Sequence, residues 1–431
     1  MSEYITLNDK AWEELFEKYN IVTQVEENGS FKISAKQIKE CREPRLMTKF
    51  DHTVNLPELF KKNNLSILPV TRGDYIISHF KAYHKFESSD VGVTKVSIPS
   101  YIQSLDYSNI TSEAVALNCA FATGIIEDFI EDEQLVPTVS GRMSSGMFDF
   151  DILDTSSKNH RQVNVVNSQI EIDAAYEGVK YLSLIEAKRD LSDDFLVRQL
   201  YYPFRTWCEK VTKEIKPVFL VYSNGIYRLY QYKFENPMDY NSLMLVKQRN
   251  YTIEEDTLIT TEDVERILKS TAIISEPDDI PFPQADSFER VVNLCELLNQ
   301  HNMTKSEITI KYDFDERQTD YYTNAARYLG LVEKKKDNDD ILYQLTLQGQ
   351  EILQKCYKQR QLDFCYLILQ HKLFADVLSE HFETGVMPSK EEIVNRMKLS
   401  NVYNVVSDAT YKRRASTIRG WVEWIINLIN D

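Results

Sequence analysis

The sequence predicts a mixed α/β protein: an N-terminal α+β region, a central mixed sheet flanked by helices, and a mainly helical C-terminal part. Three observations carry this. Four β-period segments, QIEIDAAYE, YLSLIEAK, KPVFLVYSN and IYRLYQYKF, lie among the helical segments TSEAVALNCAFATGIIEDFI and DDFLVRQLYYPFRTWCEKVT, the pattern of a sheet covered by helices. From SFERVVNLCELLNQ onward helical periods dominate. Between these regions IISEPDDIPFPQADS, with Pro277, Pro281 and Pro283 among acidic residues, reads as an extended linker.

Each element has a local reason. LNDKAWEELFEKYN is an amphipathic helix with its own cap, and FKISAKQIKE runs from strand into helix. Pro57 and Pro69 punctuate the next stretch, before a strand pair around Gly73. TSEAVALNCAFATGIIEDFI is expected as one helix capped by Thr111 or Ser112, and SGRMSSGMFDFDIL as a loop entering a strand. QIEIDAAYE reads as one strand. The following helix is expected to open at Asp193 and Asp194, and Asn224-Gly225 joins two strands as a hairpin turn. Beyond the linker come SFERVVNLCELLNQ, KSEITIKYD and RQTDYYTNAARYLGLVEKKK as helices, then a strand and helix in ILYQLTLQGQEIL. That is the layout of a winged helix-turn-helix. From about Gln361 a second helical, winged-helix-like arrangement follows. The expected domains are 1–100 (α+β), 101–272 (sheet core), 273–286 (linker), 287–360 (winged helix) and 361–431 (second helical domain).

Bulk properties narrow the function classes. A net charge of −16 argues against a protein that coats nucleic acid nonspecifically, although local basic surfaces can coexist with an acidic total. No apolar run of membrane-spanning length and no apolar leader is seen, so cytoplasmic residence is expected. The cysteines Cys41, Cys119, Cys208, Cys295, Cys356 and Cys365 form no CxxC pair and are expected as buried, reduced thiols. His79 and His84 have no partner spaced to complete a zinc site.

The chemistry concentrates in YLSLIEAK. Residues two apart on a strand share a face, so Leu182, Leu184, Glu186 and Lys188 point one way. Asp173 ends an apolar alternation just upstream. If the strands are neighbours, two carboxylates and an ammonium converge at one sheet end. Buried charge of this kind requires partners or a metal, and two carboxylates suit a hard ion such as Mg2+. Glu214-Ile-Lys216 and Glu333-Lys-Lys335 repeat the E-x-K spacing, but at charged borders where a solvated face is expected. Glu171 and Glu177 flank Asp173 as rival ligands.

Asp173, twelve intervening residues and Glu186-Ala187-Lys188 resemble the signature of the PD-(D/E)xK nuclease superfamily, across roughly residues 105 to 235. The family's proline is replaced by Ile172. More loosely, REPRLMTKFDH, ILPVTRGDYII, SGRMSSGMFDF and RQTDYYTNAARYLGLV resemble a type II restriction endonuclease. The resemblance implies Asp173, Glu186 and the Ala187 carbonyl as Mg2+ ligands and Lys188 as the catalytic lysine. Glu113 fits the acidic residue that relatives carry on the preceding helix. Gln199 fits the polar residue that they carry on the following one.

Base reading requires further residues. Arg317, Gln318, Tyr321, Asn324 and Arg327 on one helix and Lys412, Arg413, Arg414 and Arg419 on another are candidates. In the N-terminal region Arg42, Arg45, Lys49 and Arg72 are alternatives, and Arg142, Ser144 and Ser145 form a loop suited to the DNA backbone. Trp421 and Trp424 are expected in the core. The function implied is sequence-specific, Mg2+-dependent cleavage of double-stranded DNA. A single site per chain implies a homodimer, and a DNA methyltransferase would be a genetic partner. The alternatives are a winged-helix DNA-binding regulator with an inactive nuclease-like domain, or a nuclease acting on modified DNA.

Overall fold

The computed structural model describes residues 6–87, 91–254, 257–312, 314, 316–337, 340–400, 402–403, 405 and 407–430 of the 431-residue chain. They divide into two compact units. The first comprises 1–105, 112–222 and 227–251, and the second 106–111, 223–226 and 252–431.

The first unit opens with α1 (Leu7–Tyr19), α2 (Ile21–Asn28), β1 (Phe31–Ser34), β2 (Ser66–Pro69) and β3 (Asp74–Ser78). Thr6 and Asp9 form a reciprocal capping box at the start of α1. The strands make an antiparallel sheet in the order β1-β3-β2. Trp12, Phe16 and Phe60 pack edge to face behind it, and the Trp12 indole donates to the Met47 carbonyl at 3.0 Å. Short helical turns at Ala35–Ile38, Pro44–Met47 and Glu58–Lys62 complete this region.

The rest of the first unit contains β4 (Tyr83–Lys85), β5 (Val93–Lys95), α3 (Glu113–Ala122), α4 (Ile125–Ile130), β6 (Val136–Pro137), β7 (Gly141–Ser144), β8 (Met147–Leu153), β9 (His160–Val166), β10 (Gln169–Ile172), β11 (Ala174–Glu177), β12 (Tyr181–Lys188), β13 (Asp194–Leu196), α5 (Arg198–Cys208), β14 (Glu214–Ser223), β15 (Ile226–Phe234) and β16 (Leu243–Thr252). Seven strands form a mixed sheet in the order β5-β16-β15-β14-β12-β11-β6. β12 runs antiparallel to β11 and parallel to β14. A parallel neighbour requires a crossover, and α5 lies within it.

Helices flank this sheet. On one face Phe121 of α3 stacks on Tyr176 of β11 at 5.0 Å. On the other, Ala175, Leu182 and Leu184 pack with Trp207 near the end of α5. The apolar stretch of β12 is buried on both faces, which explains its continuous hydrophobicity. Pro203 sits inside α5 and leaves the Gln199 carbonyl without its usual intrahelical donor. Side-chain anchors hold this helix: buried Arg205 donates to the Asp149 and Pro237 carbonyls, Thr206 to Ser145 O, and Tyr202 to Pro69 O.

The second unit contains α6 (Thr261–Ser270), α7 (Phe288–Leu298), β17 (Met303–Thr304), α8 (Lys305–Lys311), α9 (Glu316–Tyr328), β18 (Val332–Asp337), β19 (Asp340–Leu345), α10 (Leu347–Leu353), α11 (Tyr357–Leu369), α12 (Lys372–Thr384), α13 (Lys390–Leu399) and α14 (Asp408–Asn427). It is mostly helical, with one small antiparallel sheet in the order β17-β19-β18. Phe288, Phe374, Trp421 and Trp424 lie in one core, as expected for both tryptophans.

Several expectations about elements require correction. The single helix expected over 111–130 breaks at Thr123-Gly124, where Gly124 takes φ 77° and no side chain is needed. SGRMSS is part strand, β7, and the structure adds the strands β9 and β16 beyond those expected. QIEIDAAYE splits at Asp173: β10 pairs with β7, whereas β11 pairs with β12 and β6. Asp194 opens no helix but begins β13, paired with β4, and α5 starts only at Arg198. VEKKK is the strand β18 rather than a helix end. Asn224 and Gly225 do form the β14–β15 turn, both at positive φ (52° and 76°). Three cysteines are buried, whereas Cys41 and Cys208 are partly exposed and Cys356 is exposed; none of the six is in a disulfide.

The β11–β12 turn is held by Asp132. Its carboxylate accepts the backbone N–H groups of Glu133, Lys180 and Tyr181, each at 2.9 Å. A Cβ at Gly178 would stand 2.4 Å from Asp132 Oδ2, so glycine is required for this approach. Burial opposes ionisation of Asp132, but the three donors outweigh it and hold its pKa below the usual carboxylate range. Its stabilising contribution is therefore full above the unfolded value of about 3.9 and is lost as pH falls through the lower folded value. Asp132→Ala is expected to destabilise the first unit by about 1–3 kcal/mol at neutral pH, with a smaller difference near pH 2. Chemical denaturation at both pH values measures this.

Candidate functional site

Glu186 and Lys188 close the buried face of β12 behind Leu182 and Leu184, and the register sets this end of β12 beside Phe219–Val221 of β14. Lys188 Nζ donates to Glu186 Oε1 at 2.6 Å, and Gln199 Nε2 donates to the same oxygen at 2.7 Å. Gln199 is the second residue of α5. Asp173 stands at the pivot between β10 and β11, and its Oδ2 accepts the Ala187 N–H at 2.8 Å. Ala174 pairs with Ile185, so continuing that register sets Asp173 opposite Glu186. The structure thus brings Asp173, Glu186, Ala187, Lys188 and Gln199 together.

The rival carboxylates separate. Glu177 lies at the far end of β11 and pairs with Lys213 at 2.7 Å. Glu171 pairs with Arg142 across the β7–β10 ladder at 3.3 Å. Glu171 also lines a small cleft with Ile172, Glu186, Gln199 and Pro203.

The electrostatics identify two residues that the sequence reading did not place here. Asp51 and Lys49 act on the same cluster. The Asp51 carbonyl accepts the Leu196 N–H at 2.8 Å, and the Thr53 N–H donates to Asp194 Oδ1 at 3.0 Å. Buried His52 contacts the Asp194 carbonyl through Nδ1. This clamp on β13 fixes Asp51 near Lys188. Lys49 lies 3.6 Å from the Asp51 carboxylate. KFDH was visible as a stretch of interest, but only the long-range backbone contact to β13 shows which of its side chains belongs to the site.

Burial alone would lower the pKa of Lys188. The Glu186, Asp51 and Asp173 carboxylates outweigh burial and hold it well above the ordinary lysine value, so Lys188 is a fixed positive charge. Burial, assisted by Asp173 and Asp51, pushes Glu186 up to about 7 despite Lys188. Asp173 is raised by burial, with Glu171 adding to it and Lys188, the Ala187 N–H and Lys49 opposing. Burial also acts on Asp51, but Lys188, Lys49, Arg198 and His52 prevail and hold it low. Glu113 is exposed on the first turn of α3, behind the Ser112 cap. Partial loss of hydration and Asp173 raise its pKa, against Lys188, Lys49 and Arg189. It therefore senses the same charges.

The donor chemistry suits a hard divalent ion: two carboxylates, the Ala187 carbonyl, and Gln199 Oε1, a buried oxygen without a hydrogen-bond partner among the described residues. Among those residues no group of three His, Cys, Asp or Glu side chains is assembled to hold a metal. These bonds fall on a single oxygen of each carboxylate, Glu186 Oε1 and Asp173 Oδ2, so ligation through the other oxygen would leave them in place.

The remaining candidates are dispersed. Ser144 bonds Asn167 at 3.2 Å, whereas Ser145 is buried and its hydroxyl donates to the Gly146 carbonyl at 3.0 Å, so Ser145 presents no hydroxyl to a ligand. On α9, Arg317 is exposed; Gln318, Tyr321, Asn324 and Arg327 are half-buried, with Arg327 donating to Asn324 at 3.0 Å. On α14, Lys412 and Arg413 are exposed, Arg414 is buried and Arg419 pairs with Glu423 at 2.7 Å. Desolvation depresses Arg414 to about 10, with Tyr321 opposing. In the N-terminal region Arg42 bonds Asn8 at 2.7 Å, and Arg45, Lys49 and Arg72 are exposed. The E-x-K at Glu214–Lys216 is not a solvated border. Lys216 is buried in β14, donates to Ile130 O at 2.7 Å and lies 3.4 Å above the Tyr181 ring.

A raised folded pKa means that Glu186 favours the folded state fully below the unfolded glutamate value, and that this contribution is lost as pH rises through about 7. Lys188 stays charged throughout. Without added metal, wild-type stability should fall between pH 5 and pH 8 by up to roughly 3 kcal/mol from this group. Glu186→Gln should flatten that decline, and urea titrations at both pH values decide it.

Three family profiles match this chain, all described as domains of unknown function: DUF6996 over residues 9–77, DUF6997 over 78–252 and DUF7226 over 290–430. No curated protein and no solved structure matches. Asp173, Glu186, Lys188 and Gln199 lie in the second matched stretch, and Lys49 and Asp51 in the first.

Proposed function

We propose that the chain is a Mg2+-dependent, site-specific endonuclease of double-stranded DNA, of the type II restriction class. The observation that carries this reading is the convergence of Asp173, Glu186 and Lys188 at one end of β12. A structural ion pair accounts for Lys188 and Glu186, but not for a second carboxylate held on the intervening Ala187 N–H. The PD-(D/E)xK resemblance assigns these three positions the same chemistry. The order α7, β17, α8, α9, β18, β19 supports reading the second unit's first half as a winged helix.

In this reading Asp173, Glu186 and the Ala187 carbonyl would hold the ion, which when bound lowers the pKa of water and offsets charge on the phosphate. Lys188 supplies a permanent ammonium beside the scissile phosphate, a role its raised pKa favours over that of a general base. Gln199 orients the Glu186 carboxylate, and the Asp173–Ala187 bond holds the strand end. Two copies would be required for two strands, and Glu113 stands at the edge as an auxiliary carboxylate.

A second reading, a DNA-binding regulator with an inactive nuclease-like unit, is favoured by one observation: Glu186 Oε1 is engaged by both Lys188 and Gln199. A nuclease restricted to modified DNA is a variant of the first reading.

Digestion of unmethylated phage DNA separates these readings. Discrete, Mg2+-dependent fragments are expected, abolished in Glu186→Ala and Lys188→Ala. Gln199→Ala should slow cutting by about 10–100-fold, as loss of a supporting group does. Full cutting by Glu186→Ala would overturn the assignment. Independently of turnover, Mg2+ should raise the melting temperature of the wild type and not of a Asp173→Ala, Glu186→Ala double variant.

A further inference from the structure

The groove between α13 and α14 carries a cluster of cations that the first unit's chemistry does not use. Lys390 lies at the start of α13, and Lys412 and Arg413 lie in the first turns of α14; with Asn395, Ser416 and Glu391 they line a cavity of about 600 Å3. All three cations are exposed, and none is in a salt bridge among the described residues, although Asp408, itself paired with Lys398, attracts Lys412 electrostatically. Their neighbours behave differently. Lys398 pairs with Asp408 at 2.8 Å, Arg419 with Glu423 at 2.7 Å, and Arg396 with Glu380. In a chain of net charge −16, carboxylates are abundant, yet among the described residues Glu391 is the one carboxylate that lines the groove with these three cations.

Shape restricts the ligand further. Reading base edges requires a convex element that enters the major groove of a duplex. A concave cleft between two helices instead receives a protruding ridge, and on DNA that ridge is the phosphodiester backbone. Lysine ammoniums hold phosphates as point charges without a fixed fork, and the Asn395 amide adds a neutral donor, whereas the Ser416 hydroxyl donates to the Lys412 carbonyl at 3.3 Å. We propose that the α13–α14 groove is a sequence-independent site for the phosphate backbone of double-stranded DNA, with Lys390, Lys412 and Arg413 as its charges. This rests on the reading of the chain as a DNA-acting protein. It assigns Lys412 and Arg413 to backbone positioning and not to base recognition.

The test is binding of the full chain to two unrelated, fluorescein-labelled 30-bp duplexes in EDTA, by anisotropy across a KCl series. Each phosphate contact contributes roughly 0.9 to the slope of log affinity against log salt. A Lys390→Ala, Lys412→Ala, Arg413→Ala triple variant with unchanged thermal unfolding should bind both duplexes at least tenfold more weakly, with the slope reduced by about 2–3. Glu391→Gln should bind both more tightly. Unchanged affinity and slope would overturn the proposal, as would a loss confined to one duplex, or a wild type that binds heparin but neither duplex. Because EDTA excludes cleavage, a chain without nuclease activity can pass this test and an active nuclease can fail it.

Discussion

The arrangement around β12 depends on one constraint: an ammonium placed at the end of a buried strand must be neutralised by groups held in fixed positions. Lys188 obtains Glu186 from its own strand, Asp173 from the adjoining hairpin arm and Asp51 from the N-terminal region. Each of these carboxylates is positioned by something other than Lys188. Gln199 holds Glu186, the Ala187 N–H holds Asp173, and the backbone bond from Leu196 anchors the segment carrying Asp51. The cluster is therefore preorganised: besides the direct Lys188–Glu186 bond, each carboxylate has an anchor outside the ion pair.

That preorganisation reaches into the scaffold. α5 presents Gln199 because Arg205, Thr206 and Tyr202 tie the helix to carbonyls of other segments, which compensates for Pro203 in its interior. The hairpin that brings Asp173 opposite Glu186 is closed by Asp132 at its other end. Asp132 is remote from the charged cluster along both strands, yet it holds the turn that joins them.

What could be read from the sequence follows from the range of the interactions involved. β12 was legible because an apolar run ending in E-x-K has few explanations, and the Asn224-Gly225 turn because two consecutive positive φ values demand such residues. The split at Asp173 was not legible: alternation continues through QIEIDAAYE while the hydrogen-bonding partners change. Asp193-Asp194 resembled a helix cap, but pairing with β4 outweighed that local preference. Lys216 looked solvated because it stands at a charged border, whereas its position in the interior depends on the distant Ile130 carbonyl and Tyr181 ring. Asp51 required the same kind of non-local information.

The attachment of residues 51–53 to β13 has a consequence for how such chains can be altered. The charged cluster draws on two stretches that match separate domain families, one covering residues 9–77 and the other 78–252. A graft that exchanged the first stretch would leave every residue of the E-x-K strand in place while replacing the segment that carries Asp51 and Lys49. Chimeras joined near residue 77 would inherit a complete sheet whose E-x-K end meets whatever charges the new stretch carries. The boundary between these two stretches is thus a poor place to cut, although nothing in the strand itself announces it.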